Sequence, residues 1–152
     1  MSSRNGKVAE TIKAYHGHSQ DAHYLAYFEC FNRQLYYEAH DVLESLWLVQ
    51  KHAPNGAFYK GLIQLAGAFV HLQKHRVKPA SSLFKLARAN LCRYPPLHER
   101  LHVIALLELI DQWLPRLESE HFSSEMLAPE MIPQLRLKAP PEDCRPLERG
   151  SC

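Results

Sequence analysis

Tyr36-Tyr37-Glu38-Ala39-His40-Asp41-Val42-Leu43-Glu44-Ser45-Leu46-Trp47 is the stretch on which the reading of this 152-residue chain turns. Taking about 100° per residue, Tyr36, His40, Leu43, Glu44 and Trp47 fall within one arc of a helix. An arc of that kind should be core, yet it carries two ionisable groups one turn apart. Buried charge is costly unless it is paired, hydrogen-bonded or held on a metal ion. The stretch therefore predicts either a satisfied polar network or the start of a site.

Upstream, Ser19 suits an N-cap, and Tyr24, Phe28 and Phe31 follow at helical spacing until a break at Asn32-Arg33-Gln34. Residues 1–18 are polar, with only Val8, Ile12 and Tyr15 at helical spacing, which fits a short docked helix or a loose arm. Downstream, Ala53-Pro54-Asn55-Gly56 is a turn, and Ala57 to His75 repeats Phe58, Leu62, Leu65 and Phe69 on one side. That row is core or a dimer interface. The other side, with Gly61, Gln64, Gly67, Ala68 and His71, is small enough for a neighbouring backbone to come close.

Pro79 suits a first helical turn, and Pro95-Pro96 stops the helix it opens. A last helix is predicted from Leu97 to Glu118. Beyond Ser119 five prolines preclude a long helix, Leu135-Arg136-Leu137 fits a short extended piece on the bundle, and the end beyond Pro140 is expected to be mobile. A weak echo between Leu35–Leu43 and Val77–Leu86 suggests two stacked helical hairpins. The fold class predicted is all-α, a single-domain bundle of about five antiparallel helices joined by short connections. Its parts are a polar N-terminal arm (1–18), a helical domain (19–118) and a Pro-rich C-terminal tail (119–152).

Bulk composition narrows the function classes. Hydrophobic residues at 46% exclude a wholly disordered chain. A formal charge of +2 is too small to imply a nucleic-acid or anionic-membrane partner. No apolar run approaches the roughly 20 residues of a membrane span, and the N-terminus lacks an apolar signal core. Cys30, Cys92, Cys144 and Cys152 form no CxxC pair, so free thiols in a reducing cytoplasm are expected.

The first chemical candidate is His40 with Glu44, whose i,i+4 spacing lets them share a hydrogen bond or a metal ion. From His40, Glu38 lies about 160° and Asp41 about 100° around the helix, which places both outside that first pair. The second is Gln64 with His71. If the two helices form an antiparallel hairpin, these side chains face His40 and Glu44 across a cavity, as facing helices do in bundle metal sites. Lys60 and His75 on the same side fit a solvated face instead, and both readings stay open.

His98-Glu99-Arg100-Leu101-His102 matches the HExxH zinc-protease pattern letter for letter. No Gly turn and third His follow, Glu108 points away, and Pro95-Pro96 puts the motif in a first helical turn. The better reading is a set of partly exposed histidines at a helix start. His16, His18 and His23 form a polar leader that nothing shapes into a site.

The run Phe31-Asn32, Tyr36-Tyr37-Glu38-Ala39-His40-Asp41-Val42-Leu43-Glu44 and Trp47, continued by Gly61-Leu62-Ile63-Gln64-Leu65-Ala66 and His71-Leu72, resembles the family called domain of unknown function 309. Asp41 stands where a Glu is usual, which keeps the charge. The resemblance covers residues 24 to 115, and Ile132 to Leu137 looks like the family's closing segment. It implies a small, all-helical, cytoplasmic bacterial or archaeal protein of a kind labelled metal-dependent hydrolases, with no substrate named.

Two functional expectations result. In one, His40, Glu44 and His71 ligate a divalent metal ion, Gln64 positions, and Glu38 acts as base through bound water. In the other, the chain is a non-catalytic interaction module whose His/Glu pair is structural. A small-molecule or protein partner and a homo-oligomer fit either, and no organic cofactor is implied.

Overall fold

The computed structural model describes residues 3–17, 20–119, 124–128 and 131–139. Six helices run in chain order: α1 (Ser3–Ala14), α2 (Ala22–Asn32), α3 (Tyr36–Gln50), α4 (Gly56–Gln73), α5 (Val77–Leu91) and α6 (Val103–Ser119). Between α5 and α6 lies a small antiparallel hairpin, β1 (Leu97–His98) with β2 (Leu101–His102). A 3₁₀ turn at Ser124–Leu127 follows α6. The all-α expectation holds, with six helices among the described residues.

Helix packing follows chain order, α2 on α3, α3 on α4 and α4 on α5, with α6 against α5. Short connections leave consecutive helices antiparallel. Phe69 of α4 is the hub, with ring centroids 5.0 Å from Tyr36, 5.5 Å from Phe31, 5.4 Å from Phe84 and 5.3 Å from Trp113. Burying a ring of that size contributes roughly 1.5–3 kcal/mol. Phe58, Leu62, Leu65 and Phe69 are all fully buried, so this row is core and not a dimer interface.

Two helix ends explain the short connections. After α2, Gln34 takes φ 62°, its N–H donates to Phe31 O, and Leu35 N–H donates to Cys30 O. After α4, His75 takes φ 58° with the same pair of bonds, to Leu72 O and from Arg76 N–H to His71 O. Both are Schellman endings, built without the glycine that usually supplies them. That absence is why the sequence shows a break there but no stop signal.

The arm and the tail both dock. Tyr15 OH donates to Glu29 Oε1 at 2.8 Å, fastening the end of α1 to α2. Asn32 grips the tail from both sides, its Nδ2 donating to Leu135 O (2.8 Å) and its Oδ1 accepting from Leu135 N (2.7 Å). The short extended piece expected at 135–137 thus lies against α2, with Ile132 and Leu135 buried. The N-cap expected at Ser19 falls outside the described residues, as do His18 and everything beyond Ala139. Asp21 caps α2 instead, accepting from His23 N at 2.7 Å. Cys30 is buried and Cys92 exposed, both as free thiols, while Cys144 and Cys152 lie outside the described residues.

The predicted last helix needs one correction. It starts at Val103, not Leu97, because Glu99 and Arg100 take φ 50° and 65° and turn the chain back on itself. Two successive residues at positive φ are what a two-residue hairpin turn requires. No described helix is long and apolar enough to cross a membrane.

Candidate metal centre

The buried line of α3 is Tyr36, Ala39, Val42, Leu43 and Leu46. His40, Glu44 and Trp47 sit at the edge of that line, half-buried. The two ionisable groups are therefore not submerged, which removes the desolvation cost the one-arc reading implied. Side-chain exposures of 34% for His40 and 36% for Asp41 leave both reachable from solvent.

His40, Asp41 and Glu44 bring one ligand atom each to within 4.8 Å of one another. Asp41 is the addition to the pair predicted. Its backbone bearing points away from His40, but the side chain bends back, and His40 Nδ1 lies 3.3 Å from Asp41 Oδ1. A backbone angle of about 100° does not separate two neighbours whose side chains converge. Among the described residues this is the one such group of three.

Beside it is a cavity of about 210 Å³, lined by Tyr37, His40, Gly67, Val70, His71 and Leu83. His40 and His71 thus face one space, from α3 and α4. Gly67 makes room for it, since a Cβ there would stand 3.2 Å from Leu83 Cδ1 and 4.0 Å from His40 Cδ2. Close approach on the small-residue side of α4 is real at Gly61 too, where a Cβ would meet Leu91 Cγ at 2.8 Å.

His71 Nδ1 is buried with no hydrogen-bond partner among the described residues. Loss of hydration, aided by the nearby Arg76 and Lys74 charges, pushes the His71 pKa below its ordinary value. At neutral pH the ring is accordingly neutral, the state in which imidazole ligates metal.

Gln64 does not join this space. Its Oε1 accepts from Asn90 Nδ2 at 2.8 Å, tying α4 to α5 one stretch nearer the other end of the bundle. Glu38 lines neither the group of three nor the cavity, since the helix turns it to the far side of α3.

The HExxH letters form no metal centre. That motif needs both histidines on one helical face, and here they sit on opposite faces of a hairpin, His98 opposite Leu101 and His102 opposite Leu97. His98 packs edge-on against Phe58 at 4.7 Å, while His102 Nδ1 accepts from Ala105 N and caps α6. Glu99 holds the bundle end together: Asn55 Nδ2 donates to its Oε2 at 2.8 Å, and Tyr24 OH donates to its backbone O at 2.8 Å.

Residues 24–83 match the family model described as Domain of unknown function (DUF309). Over that stretch the chain is similar to this family. The DUF309 segment runs from α2 into the first half of α5. It takes in His40, Asp41, Glu44, Gln64 and His71, and it ends before the hairpin, α6 and the strap at 131–139. The match ends at Leu83, whereas the resemblance in sequence covers residues 24 to 115. No curated protein and no solved structure matches the chain.

Proposed function

We propose that His40, Asp41 and Glu44 hold a divalent metal ion and that the protein is a metal-dependent hydrolase. The observation that carries this reading is the convergence of one imidazole and two carboxylates within 4.8 Å, beside a cavity that a second imidazole also lines. The donor set fits: metal–ligand bonds of about 2.0–2.2 Å put opposite donors roughly 4 Å apart, so small side-chain rotations close the shell. A nitrogen and two carboxylate oxygens suit Zn²⁺, Mn²⁺ or Ni²⁺ better than Ca²⁺. A metal bound there supplies Lewis-acid activation of water.

The chain's own residues would set the rest. Asp41 Oδ1 lies beside His40 Nδ1, so Nδ1 is the nitrogen that would share the ion with the carboxylate and Nε2 would carry the proton. His71, from the facing helix, would bind substrate or complete the shell from across the cavity. Glu38 is on the wrong side of α3 to serve as base, and Gln64 is committed to Asn90, so neither takes part.

The test is thermal unfolding with and without Zn²⁺, Mn²⁺ or Ni²⁺ after chelation. Ion at about a hundredfold over its Kd should add about 2.7 kcal/mol to the wild type. His40→Ala and Glu44→Ala should abolish the gain, and Glu38→Gln should keep it. A wild-type curve unmoved by chelator and by all three ions would sink the reading. The competing reading, a non-catalytic interaction module, has one observation in its favour: Leu48 and Val49, adjacent on α3, are 55% and 79% exposed. It predicts self-association or complex formation lost in Val49→Asp, with no response to metal.

A further inference from the structure

At the opposite end of α4 from His71 lies an open cavity of about 590 Å³. Trp47, Lys51 and His52 line it from the end of α3, Lys60 from α4, and Arg93 and Tyr94 from just past α5. Lys51, Lys60 and Arg93 face one space, no carboxylate lines it, and none of the three is paired with an acid among the described residues. Gathering three cations with no counter-charge is unfavourable in the empty molecule. A compact anion would relieve it.

Several features of the fold hold the cations there. Lys60 Nζ stands 4.3 Å from the Trp47 ring centroid and Lys51 Nζ 5.6 Å from the same centroid, so one indole ring gathers both ammonium groups. Gly56 lets the turn after α3 fold tightly onto α4, since a Cβ would meet Lys51 O at 2.2 Å. Tyr94 OH donates to Pro54 O (2.8 Å) and accepts from Phe58 N (3.0 Å), making a fixed wall of the aromatic ring. The start of α4 forms part of the same wall, and Asn55 does not cap it, its amide being committed to His98 and Glu99. Its positive dipole end adds to the field.

We infer that this cavity is a binding site for a small organic phosphate. Ammonium groups bind phosphate oxygens as point charges and a guanidinium binds them as a fork, while Trp47 and Tyr94 offer flat walls to the rest of the molecule. The volume falls within the range of small-molecule sites. A net charge of only +2 makes this a local feature and not part of a broad basic surface for a polyanion. Lys60, Gln64, Gly67 and His71 follow one stripe of α4, and Trp47 lies seven residues after His40, about 10 Å along α3. The inference does not depend on the metal reading, because phosphate should bind here whether or not His40 holds an ion.

Titration of the full chain with inorganic pyrophosphate, followed by calorimetry in chelator, tests it. Saturable one-to-one binding is expected, weakened about tenfold or more in Lys60→Gln and in Arg93→Gln, and unchanged in His40→Ala. Circular dichroism of each variant checks that the fold is kept, and Lys51→Gln provides a third variant outside the helices. Absence of saturable binding would overturn the inference, as would equal affinity in all three charge variants. So would preference for a long single-stranded RNA with affinity rising with its length, which would mark a nucleic-acid surface in place of a small-molecule site.

Discussion

His40-Asp41 and His98-Glu99 each place histidine beside acid, and the fold treats them in opposite ways. His40-Asp41 with Glu44 stays on one helix, at the rim of the core, where its polar atoms converge toward solvent. His98-Glu99 with His102, the better match to a known catalytic pattern, is bent into a hairpin in which His98 and Glu99 bond to Asn55 and His102 caps α6. Polar side chains bonded to distant parts of the chain are structural. Those that converge and still face an open space are available for chemistry.

The sharpest way to break this comparison is to remove the residue that fastens the hairpin. Asn55 donates to Glu99 Oε2 and accepts from His98 Nε2 at 2.7 Å. Asn55→Ala strands both partners and should cost about 2–3 kcal/mol in denaturant unfolding, with the metal-induced gain of stability intact. His40→Ala should do the reverse, losing the metal response at a cost below about 1 kcal/mol, since the side chain lies at the surface. If Asn55→Ala costs nothing, or if it also removes the metal response, the division between the two stretches fails.

Alkaline titration sharpens the same contrast. Burial and the neighbouring Glu99 charge hold the Tyr24 hydroxyl well above the ordinary tyrosine value, and burial does the same at Tyr27. Burial and the bond to Glu29 push Tyr15 up to about 12. A group whose pKa is raised by folding contributes stability that is complete below its unfolded value. That contribution is lost as pH climbs from about 10 toward the folded value. Unfolding free energy measured against pH should therefore be flat near neutrality and fall above about 10. Tyr24→Phe should lower the plateau by about 1 kcal/mol and shallow the fall.

The smallest effect expected is at the helix ends. Gln34 and His75 hold left-handed conformations that cost a residue with a Cβ about 1 kcal/mol. Gln34→Gly should stabilise by a few tenths up to about 1 kcal/mol, with metal binding untouched. His75→Gly should act in the same direction.

Much of the fold was legible in the sequence. The 3.6-residue spacing of Phe58, Leu62, Leu65 and Phe69, or of Leu106, Ile110, Trp113 and Leu117, can be read within one helix, and each of these residues is buried. Part of the site was legible for the same reason: His40 and Glu44 share a face because they are one turn apart. What was not legible depended on partners distant in sequence. The side-chain bend that brings Asp41 to His40 has no signature in spacing. Gln64 turned to Asn90, whose position on α5 follows from how closely Gly61 lets Leu91 approach.

By itself, then, the sequence determined about five amphipathic segments, their order and most of the residues that line their common core, because helical periodicity is a local property of neighbouring residues. The tertiary structure decided which polar groups remain available. Glu99 and Arg100 turn left-handed because Asn55, Tyr24, Gln20 and the strap at Lys138 all hold them. Those contacts reach across much of the chain, and only the folded bundle brings them together. The same folding leaves His40, Asp41 and Glu44 converged and open, and collects Lys51, Lys60 and Arg93 around one cavity.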